Sequence, residues 1–315
     1  MIILGIESTA HTFGVGIVDS QWKVLANVYD RYTSADKGMI PDEIADHHKQ
    51  VAEEVLEKAL KEAQVMLDSV DQVAYSAGPG LDPALWSGYH FAKDLAARIK
   101  KPLVGVNHCC AHLSIGKVWN KLEDPCYLYV SGVNTQIIVS EGGKYHVMGE
   151  TLDIGLGNML DKFGRIIGLG FPAGPEIEKL AKNGKYVELP YTVKGMDASF
   201  SGLLTKAQQL FAKGVSKEDL CFSLQETAFA MLAEVVERAM AHTGKQELLL
   251  VGGVGANKRF CEMLDIMCKE RGAVFYKVPV DLAGDQGAMI AWEGFLRKDS
   301  YGDVEVKPHW RADEV

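Results

Sequence analysis

Short apolar runs, glycine-bearing turns and long amphipathic stretches follow one another along this chain in an order that occurs twice. Ile2–Ile6, Phe13–Val18 and Lys23–Val28 have strand length and are separated by polar turns, which predicts a three-stranded meander. A helix is predicted over about Pro41–Leu67, because Val51, Val55, Leu56, Ala59, Leu60 and Ala63 fall on one face. A strand over Val70–Tyr75, the breaker Gly78-Pro79-Gly80, a helix over about Leu85–Lys100, a strand over Leu103–Val106 and a helix opening at His108 complete this half. The second half repeats the plan. A meander over Tyr127–Val130, Gln136–Ser140 and Tyr145–Thr151 turns at Gly142-Gly143. A polar, glycine-rich insert follows over about 153–202, then a long helix near Lys217–His242 and a strand over Leu248–Val251 ending in Gly252-Gly253. A helix over Asn257–Arg271, a strand over Ala273–Val278 and a last helix from Gly284 close the pattern.

Such a repeat implies an α/β fold of two lobes, each a mixed sheet flanked by helices, with a cleft between them where strand ends and glycine turns present backbone amides. The expected division is residues 1–122, then 123–290 with its insert near 153–202, then a C-terminal segment, 291–315, returning to the first lobe. A length of 315 residues agrees with two domains.

Met1–Ile6 is too short for a signal-peptide core, and no run approaches the roughly 20 apolar residues of a membrane span, so a cytoplasmic protein without a membrane partner is expected. The six cysteines form no CxxC pair, which predicts reduced thiols. A formal charge of −9 argues against a chain that coats nucleic acid by itself, while leaving room for a local basic patch or a partner that supplies positive surface.

The most informative run is His108-Cys109-Cys110-Ala111-His112. Histidines four apart stack on one helical face and can reach one metal ion, although such a pair also arises by chance on exposed helices. The run resembles part of HExxH, but Cys109 stands where that motif needs its Glu base, so a zinc-protease mechanism lacks its base. Four further clusters sit at the expected cleft. Glu7–Thr12 and Ser131–Gln136 are corresponding polar hairpins, either ordinary turns or two sides of a phosphate site. Gly252–Asn257 links a strand to a helix, a good seat for adenosine or phosphate. Gly284-Asp285-Gln286-Gly287 sets a carboxylate at a helix start, as an N-cap or as a ligand.

These residues give the chain a resemblance that extends over nearly its whole length. Gly5-Ile6-Glu7 with Thr9–Thr12, Asn107–His112, Tyr129–Gly132 with Asn134–Gln136, Asp153–Asn158, Leu160–Phe163, Gly195–Gly202, Gln225–Thr227, Gly252–Val254 and Gly284-Asp285 resemble the universal TsaD/OSGEP family. The Thr9–Thr12 form is similar to its archaeal and eukaryotic members. The resemblance implies the actin, sugar-kinase and Hsp70-like ATPase fold. It implies one divalent metal ion per subunit, iron or zinc, on His108, His112 and Asp285, with Tyr129 close by and a further candidate ligand. Tyr129, Val130, Ser131, Gly132, Val133, Asp161, Gly174, Glu178 and Asn257 would hold the nucleotide, as threonylcarbamoyl-adenylate, ATP or AMP. The implied reaction moves a threonylcarbamoyl group from its adenylate to the exocyclic amine of adenosine 37 in tRNAs reading ANN codons, with AMP leaving. Implied partners are tRNA and the KEOPS subunits, among them a small atypical protein kinase and a dimer-forming subunit.

The chain departs from the family pattern at Ser8, Asp82, Trp86, Val133 and Gln286, and it stops at Val315 where relatives generally continue. Val133 replaces a glycine; if the turn keeps a positive φ, strain and crowding would weaken nucleotide binding by roughly tenfold to a hundredfold. Two other functions compete. An ATP-dependent phosphotransferase or ATPase of the same fold would hold Mg²⁺ with carboxylates and water, which two imidazoles argue against. A non-catalytic scaffold would have no use for the metal triad.

Overall fold

The computed structural model describes residues 1–33, 40–297 and 304–315. The chain forms two compact units, one made of Met1–Val118 and Gly284–Val315, the other of Trp119–Ala283.

The first unit opens with the expected meander, β1 (Ile2–Glu7), β2 (Thr12–Asp19) and β3 (Val24–Arg31). Then come α1 (Pro41–Ala63), β4 (Gln72–Gly78), α2 (Asp82–Ile99), β5 (Leu103–Asn107) and α3 (His108–Asn120). Helix α1 ends before the predicted Leu67, because Gln64 turns left-handed (φ 55°) and its amide caps the carbonyls of the last turn. The strand order is β3-β2-β1-β4-β5, with β1, β4 and β5 parallel. Leu4, Ile6, Val15, Ile17, Val73 and Tyr75 pack with Leu56 and Leu95 in the core of this unit.

The second unit repeats the topology. Strands β6 (Cys126–Val130), β7 (Thr135–Glu141) and β8 (Lys144–Glu150) form its meander, and Gly142 and Gly143 both take the positive φ that their tight turn needs. The stretch expected as an insert is more ordered than its glycine content suggests. It holds α4 (Leu156–Ile166), α5 (Gly174–Ala181), a short hairpin of β9 (Val193–Lys194) and β10 (Asp197–Ala198), and the start of α6 (Ser201–Ala212). Met159, Phe163, Ile177 and Phe200 from this stretch are fully buried in the core of the unit, so it is part of that core. After it come α7 (Lys217–Thr243), β11 (Glu247–Val251), a tight 3₁₀ turn over Gly253–Ala256, α8 (Lys258–Glu270), β12 (Val274–Lys277) and the short α9 (Val280–Ala283). The order β8-β7-β6-β11-β12, with β6, β11 and β12 parallel, matches the first sheet strand for strand.

Helix α10 (Gly287–Leu296) belongs to the first unit. It presses so closely on β1 and β2 that a Cβ on Gly16 would lie 2.0 Å from the Ala288 nitrogen, and one on Gly5 would lie 2.2 Å from the Ala291 nitrogen. Backbone atoms on both sides leave nothing flexible to yield. Gly16→Ala should therefore cost about 3 kcal/mol or more and lower the melting temperature by roughly 10 °C. Thermal unfolding followed by circular dichroism checks this, and a shift within about 2 °C would mean that helix and sheet can separate. Of the predicted C-terminal segment, residues 298–303 lie outside the described residues. Beyond them, Lys307 donates its amide to Ala77 O at 2.7 Å, and Asn107 Nδ2 donates to Trp310 O at 3.0 Å.

Candidate metal centre and nucleotide site

The strand-to-helix junction at Asn107 places the two histidines. Asn107 Oδ1 accepts from the Cys110 amide at 3.0 Å and satisfies a donor of the first turn of α3. His108 and His112 then fall one above the other and are buried, with ring centroids 4.7 Å apart. Asp285 approaches them from the residues before α10. Its Oδ1 lies 3.2 Å from His112 Nε2 and 3.5 Å from His108 Nε2, and one ligand atom from each residue falls within 4.8 Å of the others. The alternative N-cap role for Asp285 goes to its neighbour, since Gln286 Oε1 accepts from the Met289 amide at 3.1 Å and caps α10. An Asn there would cap equally well, so this departure from the family pattern leaves the carboxylate free to face the histidines.

Glu7 is the residue whose role sequence reasoning missed. The sequence groups it with a polar hairpin on one side of a phosphate site, yet a fully buried carboxylate there would repel a phosphate. Its Oε2 lies 2.9 Å from His108 Nδ1 instead. A carboxylate only accepts, so Nδ1 carries a proton and Nε2, which faces Asp285 and His112, is the nitrogen that a metal ion would take in place of a proton. The other oxygen, Oε1, accepts the Thr9 amide at 2.8 Å and the Thr9 hydroxyl, which fixes the carboxylate in place. The one available signal was a charged residue ending a buried strand, which demands a partner. His48, also buried, supports the same turn by donating from Nε2 to Ala10 O at 2.9 Å.

The electrostatics suit a cation. Burial alone would lower the His108 pKa, but Glu7 and then Asp285 more than offset it and hold the imidazole at about 9. For Asp285, burial acts upward, and the hydrogen bond from His112 with the charge of His108 takes it well below the usual carboxylate range. Burial keeps His112 below its ordinary value. Two carboxylates thus face two imidazoles with a net preference for positive charge, and three donor atoms converge. Two nitrogens and an oxygen suit iron or zinc.

The nine residues expected around the nucleotide all lie in the second unit, and Tyr129, Val130 and Asn257 border the turn from Gly252 to Asn257. Gly252 has φ +93°, and a Cβ on it would lie 2.3 Å from Val130 O, so only glycine fits against the end of β6. Tyr129 is buried there, with its hydroxyl 3.4 Å from Asn134 Nδ2. At the other end of the turn, Asn257 accepts from the Phe260 amide at 3.0 Å and donates to Gln225 at 2.7 Å. Glu178 accepts from the Lys258 amide at 2.9 Å, and Asp161 from the Ala173 amide at 2.8 Å. Both carboxylates cap helix starts, and each keeps a second oxygen outside these bonds. Around Gly174 the space is open to 4 Å.

In the hairpin of 131–136 the hydroxyls serve the backbone. Ser131 Oγ accepts from the Asn134 amide at 3.1 Å and Thr135 Oγ1 from the Leu156 amide at 2.9 Å. The amides of Gly132 and Val133 make no hydrogen bond among the described residues. Neither residue has a positive φ, and the Val133 side chain is 68% exposed, so the expected strain is absent. Val133→Gly should therefore change ATP affinity by less than about threefold and lower stability by about 0.5–1 kcal/mol through the freer unfolded chain. Calorimetry that finds tenfold tighter binding by the glycine variant would restore the crowding argument.

The remaining departures also have local explanations. Ser8 lies against Gly88, where a Cβ would fall 1.8 Å from Ser8 Oγ. Asp82 opens α2, and Trp86 stacks on His90 with ring centroids 5.6 Å apart. The six cysteines are buried and none is joined in a disulfide. No helix among the described residues is long and apolar enough to cross a membrane.

A profile of the TsaD family, described as tRNA N6-adenosine threonylcarbamoyltransferase, matches residues 23–292. A protein of that name from Thermococcus sibiricus is 55% identical over 323 residues, covering 100% of this chain and 99% of its own. Another, from Thermococcus kodakarensis, is 54% identical and covers 100% and 98%. A protein named probable bifunctional tRNA threonylcarbamoyladenosine biosynthesis protein, from Methanocaldococcus jannaschii, is 50% identical over 100% of this chain and 60% of its own length. Among solved structures, Thermococcus kodakarensis HypF aligns with a TM-score of 0.68 at 13% identity, over 95% of this chain and 48% of that one. The (R)-2-hydroxyglutaryl-CoA dehydratase component A of Acidaminococcus fermentans aligns at 0.57 and 12% identity, over 95% and 100%. At such identities the likeness is one of fold alone, an α/β fold with two mixed sheets flanked by helices, as the sequence leads one to expect.

Proposed function

This chain belongs to the TsaD family of tRNA N6-adenosine threonylcarbamoyltransferases, and from that membership we propose how its own residues serve the transfer. The substrate pair is threonylcarbamoyl-adenylate and the adenosine at position 37 of tRNAs that read ANN codons. The exocyclic amine attacks the carbamoyl carbon. A C–N bond forms, the bond from that carbon to the phosphate oxygen breaks, the amine gives up a proton, and AMP departs. Because the adenylate is a mixed anhydride, already activated, the protein needs no nucleophile of its own, and its work is positioning and charge stabilisation.

The second unit holds the adenylate. The free amides of Gly132 and Val133 receive phosphate oxygens, Asp161 and Glu178 accept from ribose hydroxyls, and Gly252 lets the backbone approach closely. In the first unit His108, His112 and Asp285 would hold a divalent ion, iron or zinc. When bound, such an ion supplies Lewis-acid stabilisation of negative charge. Glu7 and Thr9 keep the His108 ring turned for that task. The target base lies in a single-stranded loop, so presenting it costs little unstacking.

The observation that carries this reading is the convergence of buried His108 and His112 with Asp285, with buried Glu7 behind them. A phosphotransferase of the same fold would hold Mg²⁺ through carboxylates and water. The greater length of the bifunctional-named relatives supports work within a KEOPS-type assembly, with a small kinase and a dimer-forming subunit as partners. A cytoplasmic location follows from that role. The test is reconstitution with those partners, tRNA, threonine, bicarbonate, ATP and the adenylate-forming enzyme, followed by mass spectrometry of the digested tRNA. Threonylcarbamoyladenosine should accumulate in step with AMP. Its absence, with ATP hydrolysed all the same, would favour the ATPase reading.

A further inference from the structure

The formal charge of −9 conceals a segment of opposite sign. Residues 153–217 carry nine Lys and Arg against six Asp and Glu, whereas the rest of the chain carries twenty-four against thirty-six. The fold gathers part of that surplus at one end of α7. Lys217 Nζ donates to Ile167 O at 2.5 Å, and Asp219 Oδ1 accepts from the Lys185 amide at 2.6 Å. Those two bonds pin the α4–α5 loop and the turn after α5 to the same first turn of α7. Arg165, Lys182 and Lys185 stand exposed beside them. Asp161 and Asp219, whose charges reach Arg165 and Lys185, are committed to backbone amides and make no ion pair with either.

Two aromatic rings accompany these cations. Phe171, in the α4–α5 loop, is 64% exposed, and Tyr186, in the turn after α5, is 57% exposed. Exposed aromatics interleaved with basic side chains are the composition that grips a single-stranded nucleic acid. The cations follow the phosphates while the rings stack on bases. The loop carrying Phe171 runs directly into Gly174, and its Ala173 amide is held by Asp161, so this rim adjoins the residues assigned to the adenylate.

We infer that the α4–α5 loop and the turn after α5 form the docking surface for the loop of the RNA substrate, with Arg165, Lys182 and Lys185 on phosphates and Phe171 and Tyr186 on bases. The inference rests on the proposed transfer to tRNA. It also reconciles an acidic chain with a polyanionic substrate, since the charge met by the RNA is local.

The test uses the full chain and a fluorescently labelled anticodon stem–loop. Arg165→Glu with Lys182→Glu should weaken binding by about tenfold or more and reduce the salt slope by roughly 1.4, about 0.7 for each lost single-strand phosphate contact. Phe171→Ala should weaken binding by about tenfold with the salt slope unchanged, because stacking releases no counterions. Lys23→Glu with Lys61→Glu, exposed positions in the first unit, makes the same change in net charge and should leave the slope as it was. All variants alter exposed side chains, and melting temperatures confirm that they fold. If the double variant in the rim behaves as the control does while the wild type still modifies tRNA, the docking surface lies elsewhere and the transfer reading stands. If the wild type neither binds the stem–loop nor modifies tRNA, the transfer reading itself has failed. Weakened capture of a protein partner with unchanged RNA binding would assign the rim to protein contact and overturn the inference.

Discussion

Asp285→Ala should emerge from purification without its metal ion and with transfer reduced on the order of a thousandfold, while the fold persists. The side chain projects from the residues before α10 and does not cap that helix, a task that belongs to Gln286. Its loss therefore leaves the helix start intact and removes the carboxylate facing both imidazoles. Without it, only His108 and His112 remain, two ligands being too few to hold iron or zinc against water and buffer. His112→Ala should give the same phenotype from the other side of the site. Elemental analysis of each purified variant, read beside its melting temperature and its yield of modified nucleoside, decides the matter. Full metal content in either variant would place the ion elsewhere, and activity retained without metal would make the triad structural.

Most of the fold was legible because both halves bury one face of a meander and both faces of a parallel pair, and those two demands leave different hydrophobic periods in the sequence. The α4–α5 region was harder. Its glycines and charges read as loop, yet Met159, Phe163, Ile177 and Phe200 enter the core at spacings broken by Gly164, Gly168, Gly170 and Gly174, so no long apolar period survives. The convergence of these three side chains was legible in part, since a histidine pair four apart shows its shared face while Asp285, 173 residues after His112, joins only through tertiary packing. Val133 shows the limit of arguing from a replaced glycine. The backbone angle decided the question, and a pattern of residues does not report it.

Glu7→Gln carries the second large effect, and its sign follows from counting donors. The wild-type carboxylate receives three hydrogen bonds, one from His108 Nδ1 at 2.9 Å, one from the Thr9 amide at 2.8 Å and one from the Thr9 hydroxyl. A glutamine has one accepting oxygen and one donating nitrogen. If its oxygen faces Thr9, its NH₂ meets His108 Nδ1, the imidazole must move its proton to Nε2, and the nitrogen meant for the metal becomes a donor. If the oxygen faces His108, the NH₂ confronts the Thr9 amide in a buried pocket, which costs about 1–3 kcal/mol. Either orientation weakens the site through His108 without touching the ion. Metal affinity, measured by competition with a chromogenic chelator, should fall by about tenfold to a hundredfold. The nucleotide affinity of the second unit should remain as it is, which separates loss of the metal ligand's orientation from general damage. Unchanged metal affinity in Glu7→Gln would show that the first-turn geometry of α3 orients His108 without help, and that the buried carboxylate serves only the Thr9 turn.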